Sequence, residues 1–177
     1  MAKRVLILFA HPALHRSRIN AAMVDAVSDL ENVTVLDLYE EYPDFHIEVP
    51  EQQRLLVEHD VIIWQHPFYW YSAPALLKEW MDVVLEYGFA YGDEGTALRG
   101  KKAMNALTTG GQEEAYSSTG ANRFTMRQLL APFDQTAHLC GIEYLEPFVV
   151  HGVHRFSSDQ VAAAAAQYRQ RVLQLRD

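Results

Sequence analysis

The sequence predicts a doubly wound α/β fold, a mostly parallel sheet wrapped by helices on both faces. Three observations carry that prediction. Short apolar runs recur along the chain, segments of helical period lie between them, and no linker, repeat or block of like charge divides the 177 residues. The runs are Arg4 to Ala10, Val33 to Leu38, Val61 to Gln65, Lys102 to Thr108 and Tyr144 to Val150. They are too short for helices and mostly do not alternate, the pattern of strands buried on both faces. Five strands follow, in one domain over residues 1–177.

Each helix has its own warrant. Ser17 caps one whose apolar face is Ile19, Met23, Val27 and Leu30. Pro74 stands near the first turn of another, with Leu77, Trp80, Val84 and Tyr87 at three- and four-residue steps. Ser157 or Ser158 starts a third, from about Ser158 to Leu175, on Val161, Ala165, Tyr168, Val172 and Leu175. Glu51 to Glu58 and Asn122 to Cys140 give weaker periodicity, the latter interrupted at Pro132. A five-stranded sheet of order 2-1-3-4-5 satisfies this alternation. Alternation alone does not choose the order, and a four-stranded or Rossmann-type sheet stays compatible.

Composition removes several function classes. With 15 Lys and Arg against 23 Asp and Glu, the net charge of -8 argues against a nucleic-acid or anionic-lipid face. The lone Cys140 has no disulfide partner and suits a reducing, cytoplasmic setting. Eight His occur singly, without metal-ligand spacing, and read as surface or loop residues with no metal bound. Val5 to Ala10 is too short for a membrane span or a signal segment. No GxSxG elbow occurs, and nothing beside Cys140 activates it as a nucleophile.

Open parallel sheets bind ligands beyond the carboxyl ends of their strands, where strand order reverses. Three loops there are unusual, and in the 2-1-3-4-5 order they adjoin. After the first run, His11-Pro12 leads to Ser17-Arg18-Ile19-Asn20, where free helix amides, the Ser17 hydroxyl, the Asn20 amide and the Arg18 guanidinium suit a phosphate. An ordinary Ser cap is the plainer reading. GxGxxG and GxxxxGK[ST] are absent, which disfavours a dinucleotide Rossmann site or an NTPase loop. After the third run, Phe68-Tyr69-Trp70-Tyr71 are too consecutive for one face to bury, so some face a flat ligand or a partner. A hydrophobic cluster under the loop is the alternative. After the fourth, Thr108-Thr109-Gly110-Gly111 lets backbone amides approach a ligand edge, or forms a plain turn. A phosphate-bearing flat heterocycle reconciles all three loops, and flavin mononucleotide (FMN) or FAD fits.

At these residues the chain resembles the flavodoxin-like NAD(P)H:quinone oxidoreductases, and most closely the ancillary oxidoreductases of glutathione-regulated potassium-efflux systems (the KefF and KefG type). The likeness lies in VLILFAHP at Val5 to Pro12, SRIN at Ser17 to Asn20, YPDFHI at Tyr42 to Ile47 and WQHPFYWYSAPALLKEWMD at Trp64 to Asp82. It continues in GFAYG at Gly88 to Gly92, TTGG at Thr108 to Gly111 and LCGIEYLEPF at Leu139 to Phe148. Any one is weak; their order and spacing together are specific.

The resemblance implies a flavodoxin-like fold, with FMN favoured over FAD and NAD(P)H as co-substrate. Flavin contacts would fall on His11, Ser17, Arg18, Ile19, Asn20, Phe68, Tyr69, Trp70, Tyr71, Thr108, Thr109, Gly110 and Gly111. It also implies a homodimer with the quinone pocket at the subunit boundary, near Trp70, Tyr91 and Tyr116, and a membrane potassium-efflux transporter as partner. Gly111, Tyr116 and Asn122 fall at the catalytic positions. Such reductases pair the Tyr with a His six residues on, and here that place holds Asn122. A neutral amide hydrogen-bonds but takes up no proton. The stretches Pro43 to Pro50 and Tyr87 to Gly100 read as inserts that favour a dimeric reductase over a one-electron flavodoxin carrier.

Overall fold

The computed structural model describes residues 2–177. Four parallel strands, β1 (Val5–Phe9), β2 (Val33–Asp37), β3 (Val61–Pro67) and β4 (Lys102–Thr108), are followed by two short segments, β5 (Glu143–Tyr144) and β6 (Phe148–Val150). The order is β2-β1-β3-β4-β5, with β6 also parallel to β4. This is the flavodoxin-like order. The single fifth strand expected over Tyr144 to Val150 is instead broken. Leu145 N–H still reaches Ala103 O (2.8 Å), but Pro147 has no N–H to donate, and pairing resumes only at Phe148.

Strand alternation sorts the core into two layers. Leu6, Leu8, Ile62 and Trp64 face α3 (Val49–Glu58), α4 (Ala75–Val84) and α6 (Ala131–Leu139). Val5, Ile7, Val61 and Ile63 face the opposite way, toward α1 (Arg18–Asp25) and α7 (Ser158–Arg176). On the first layer the fully buried Trp80 donates from Nε1 to Gln52 Oε1 (2.9 Å), and Gln52 Nε2 donates to Tyr42 Oη (2.7 Å). On the second, Arg169 of α7 pairs with Asp29 just beyond α1.

Several boundaries differ from expectation. α1 stops at Asp25, yet Val27 and Leu30 remain buried because the turn after it keeps them against the sheet. Tyr87 lies outside α4 and is exposed. Pro132 does not interrupt one helix; it opens α6 after the short α5 (Met126–Leu129), where a missing N–H costs nothing. The four-residue α2 (Leu38–Glu41), capped by Asp37 Oδ1, was not foreseen. α7 carries a reciprocal Ser157/Gln160 cap, as the Ser157 reading requires.

β3 runs two residues past its expected end and takes His66 into the sheet, paired with Leu107. His66 is fully buried within β3, which corrects the reading of every histidine as a surface or loop group; His11 and His59 are also buried but lie in loops. Tyr144 Oη donates to Asn105 Oδ1 (2.6 Å), Asn105 Nδ2 donates to His66 Nε2 (3.0 Å), and His66 Nδ1–H donates to Pro67 O (3.0 Å). With Nε2 accepting, the ring is neutral, and burial pushes its pKa down to about 4. The unfolded chain takes up a proton near pH 6.5 that the folded chain refuses until about 4, so His66 removes stability as pH falls through that window. The loss reaches about 3 kcal/mol when complete. Urea unfolding at several pH values is expected to show a shallower acid slope in His66→Gln. Equal slopes in both proteins would reject this assignment.

Candidate functional site

A cavity of about 600 Å³ opens at the carboxyl edge of the sheet, within the range that holds a small cofactor. It is lined by His11, Ser17, Arg18 and Ile19 after β1, Phe68, Tyr69 and Trp70 after β3, and Thr108 and Gly110 after β4. The three loops singled out from sequence therefore meet in one crevice. Asn20, Tyr71, Thr109 and Gly111 are not among the residues that line it.

Ser17 begins the end built for an anion. Its Oγ accepts from Asn20 N–H (3.3 Å) and from Asn20 Nδ2 (2.9 Å), and Ala21 N–H bonds to Ser17 O (3.1 Å). Among the described residues, the first two amides of α1, those of Arg18 and Ile19, have no acceptor. Asn20 does not present its amide to the cavity as the sequence reading supposed. It is buried, and Nδ2 also donates to Thr108 Oγ1 (3.0 Å), tying the first loop to the fourth strand. Because both hydroxyl oxygens accept from Asn20, their own hydrogens are free to donate. Asn20 Oδ1 is left buried without a hydrogen-bond partner among the described residues. Arg18 lines the cavity and also makes contacts outside it. Its guanidinium is exposed and donates to Phe156 O (3.3 Å) and Ser158 Oγ (3.2 Å), clasping the start of α7.

The aromatic loop forms a wall under strain. Trp70 and Tyr71 hold φ of 50° and 63°, left-handed backbone that costs roughly 1–2 kcal/mol at each non-glycine residue. Tyr71 is held by its Oη, which donates to Asn122 Oδ1 (3.2 Å), and by edge contact with Phe68. Trp70 is left 92% exposed. His11 lies edge-on to Tyr69 and accepts from Ala13 N–H at Nδ1 (3.0 Å), so its proton sits on Nε2. Burial holds its pKa below the usual imidazole value.

The fourth loop supplies donors, though not the three expected. Thr109 N–H is committed to Val150 O (2.9 Å), while the Gly110 and Gly111 N–H groups have no acceptor among the described residues. Gly110 packs so closely that an added Cβ would stand 2.5 Å from His154 Nε2, and one on Gly111 would stand 3.2 Å from the Tyr116 ring. Tyr116 packs against Phe68 and His151. Asn122 is engaged with Tyr71 and does not line the cavity; Tyr91 packs edge-on against Tyr87, also away from it.

Sequence reasoning missed Ala13, Arg16, Pro67, Val153, His154, Phe156 and Val161, which complete the lining. The same carboxyl-edge rule, applied to the loop after the last strand, would have reached Val153, His154 and Phe156. Arg16 and Arg18 bring two positive charges to this corner of an acidic chain.

The family is decided by the match of residues 3–175 to the model described as "Flavodoxin-like fold", Flavodoxin_2. The chain belongs to the Flavodoxin_2 family. A glutathione-regulated potassium-efflux system ancillary protein KefG, from Pectobacterium carotovorum, is 46% identical over 93% of this chain and 90% of its own. The general stress protein 14 of Treponema denticola, solved in complex with FMN, superposes with a TM-score of 0.93 at 36% identity, covering 97% of this chain and 99% of that one. An NADPH-quinone reductase from P. pentosaceus gives a TM-score of 0.86 at 35% identity, over 95% and 96% of the two chains.

The donor set fits FMN. Free helix amides and the Ser17 hydroxyl suit a phosphate, the aromatic wall suits a flat ring, and the Gly110 and Gly111 amides suit a ring edge that gains charge.

Proposed function

We propose that residues 1–177 form one FMN-dependent NAD(P)H:quinone oxidoreductase domain. The observation that carries the reading is the convergence of three chemically different loops on one cavity of about 600 Å³. When bound, the flavin supplies two-electron transfer between a nicotinamide and a quinone. The chain's residues do the rest. Ser17 and the Arg18 and Ile19 amides hold the phosphate against the helix dipole. Phe68, Tyr69 and Trp70 stack beside the ring and exclude water, and His11 keeps Tyr69 in place. The Gly110 and Gly111 amides hold fixed dipoles where negative charge collects, and Tyr116 stands beside them as the acceptor's neighbour. Exposed Trp70 and Tyr71 offer the surface on which a second copy completes the acceptor pocket.

Purified protein is expected to take up FMN in preference to FAD, to bleach on anaerobic NADH or NADPH, and to regain colour with a quinone. Protein that takes up neither flavin would refute the reading. Ser17→Ala removes the α1 cap, at about 1 kcal/mol of stability, and one donor to a charged group. Its FMN dissociation constant is expected to rise roughly tenfold or more, measured by fluorescence quenching. Unchanged affinity would move the phosphate elsewhere.

The likeness to KefG favours a second role, as an accessory subunit of a membrane potassium-efflux transporter. No helix among the described residues is long and apolar enough to cross a membrane. In this role the chain would sit peripherally on the transporter's cytoplasmic face. Co-purification with the transporter, and potassium efflux that persists in a variant unable to oxidise NAD(P)H, test it.

A further inference from the structure

Thr109 and Gly111 are held by a group that neither the cavity lining nor the quinone-reductase reading uses. Thr109 Oγ1 donates its one hydrogen to Gly111 O (2.7 Å) and stands 3.1 Å from His151 Nδ1. With that hydrogen spent, the second contact requires Nδ1–H as donor. The Nε2 lone pair of His151 then has no hydrogen-bond partner among the described residues. The same ring lies against Tyr116, with centroids 5.2 Å apart, a separation at which a protonated imidazole is attracted by the aromatic face. Gly152 N–H bonds to Gly111 O (2.9 Å), so the segment carrying His151 is pinned to the turn whose amides are free.

We propose that His151 is the proton-holding group of this site: it locks the Thr109–Gly111 turn through Nδ1 and takes up a proton at Nε2 when the bound ring gains negative charge. The proposal rests on the FMN reading. Two electrons and one proton leave the nicotinamide together, which makes the ring one unit more negative. A second proton passes from water to Nε2 of His151, converting imidazole to imidazolium. When the quinone takes back the electrons with the first proton, Nε2 returns its proton to water and the reduced acceptor takes its second proton from water, so charge balances at each stage.

The surroundings suit a group that is neutral at rest and charged on demand. Half-burial holds the imidazole below its ordinary pKa, while Glu113 and Glu114, on the loop after β4, act in the opposite sense. Tyr116 is the titratable group in ring contact, and among the described residues the β4 side offers the Thr109 hydroxyl and the Gly111 carbonyl. Neither neutral group opposes a positive charge. His151 is a positioning residue, since it acts through Thr109, Gly111 and Tyr116. Asn122, held by Tyr71, has no proton to exchange.

The test uses the full chain loaded with FMN. NMR titration of the His151 ring in the oxidised and dithionite-reduced protein is expected to show proton affinity at least tenfold higher after reduction. Between the two pKa values, the reduction equilibrium gains an extra tenfold per pH unit, about 30 mV for a two-electron couple. In His151→Asn, whose amide nitrogen can reach the Nδ1 position, that extra slope is expected to vanish while FMN stays bound. A ring that titrates alike in both redox states, or a variant with the original slope, overturns the proposal. The NMR measurement needs only the native chain, so it decides the matter even if the variant fails to fold. A native chain that fails to bind FMN sinks both readings; one that binds FMN with a slope indifferent to His151 sinks this one alone.

Discussion

Replacing Gly111 by Val is expected to slow reduction by NAD(P)H by two to three powers of ten while FMN stays bound. An added Cβ would stand 3.2 Å from Tyr116 Cε2 and 3.3 Å from its hydroxyl, and a branched side chain reaches further into that ring. The turn cannot slide away. Gly111 O accepts from both Gly152 N–H (2.9 Å) and Thr109 Oγ1 (2.7 Å), which fixes the carbonyl side of the peptide. Either Tyr116 is displaced or the amide plane rotates, and both misdirect a donor aimed at developing charge. Loss of one such donor costs roughly 2.7–4 kcal/mol in comparable sites, which is the stated range of rate. Binding survives because the phosphate end, at Ser17 and the first amides of α1, is untouched. Stopped-flow reduction of flavin-loaded protein measures the effect. A native rate with flavin still bound would remove Gly111 from the machinery.

The largest effect on stability is expected at Trp80, far from the chemistry. Trp80→Ala opens a void between α3 and α4 and strands the buried Gln52 Oε1, which accepts from the indole N–H in the native chain (2.9 Å). Truncation of a buried Trp costs about 3–5 kcal/mol from lost transfer energy and residual cavity, and the orphaned amide oxygen pushes toward the upper end. In a chain of this size, each kcal/mol lowers Tm by about 2–4 °C, so a fall of roughly 10 °C or more is expected by calorimetry. Trp80→Phe keeps most of the volume and loses only the donor, so its cost is expected to be smaller, about 1–3 kcal/mol. Equal costs for the two variants would mean that packing contributes little there.

Much of the fold was legible because parallel strands buried on both faces must be apolar throughout and short. Val5 to Phe9 and Lys102 to Thr108 therefore announced themselves, and Ser17 and Ser157 marked helix starts through an oxygen that only a cap position uses. His66 and Pro67 misled the reading, because a His-Pro pair looks like a strand end. Within the sheet, His66 is satisfied by Asn105, a residue 39 positions away that no local pattern associates with it. The break at Pro147 was legible in principle, since a proline within an apolar run removes a ladder donor.

The site divides in the same way. Its three loops were found from sequence, because free helix amides, consecutive aromatics and paired glycines each imply something local. The roles of individual side chains were not. Asn20 turns inward to Thr108, Arg18 reaches across to α7, Thr109 spends its amide on Val150, and His151 arrives beside Tyr116. The sequence by itself determined the alternation of strands and helices, the caps and the chemical character of each loop, since these follow from neighbours along the chain. Only the tertiary structure decided which polar atoms are spent internally and which stay free for a ligand. Each choice depends on a donor or acceptor supplied by a distant segment, and hydrogen bonds are settled by distances in space.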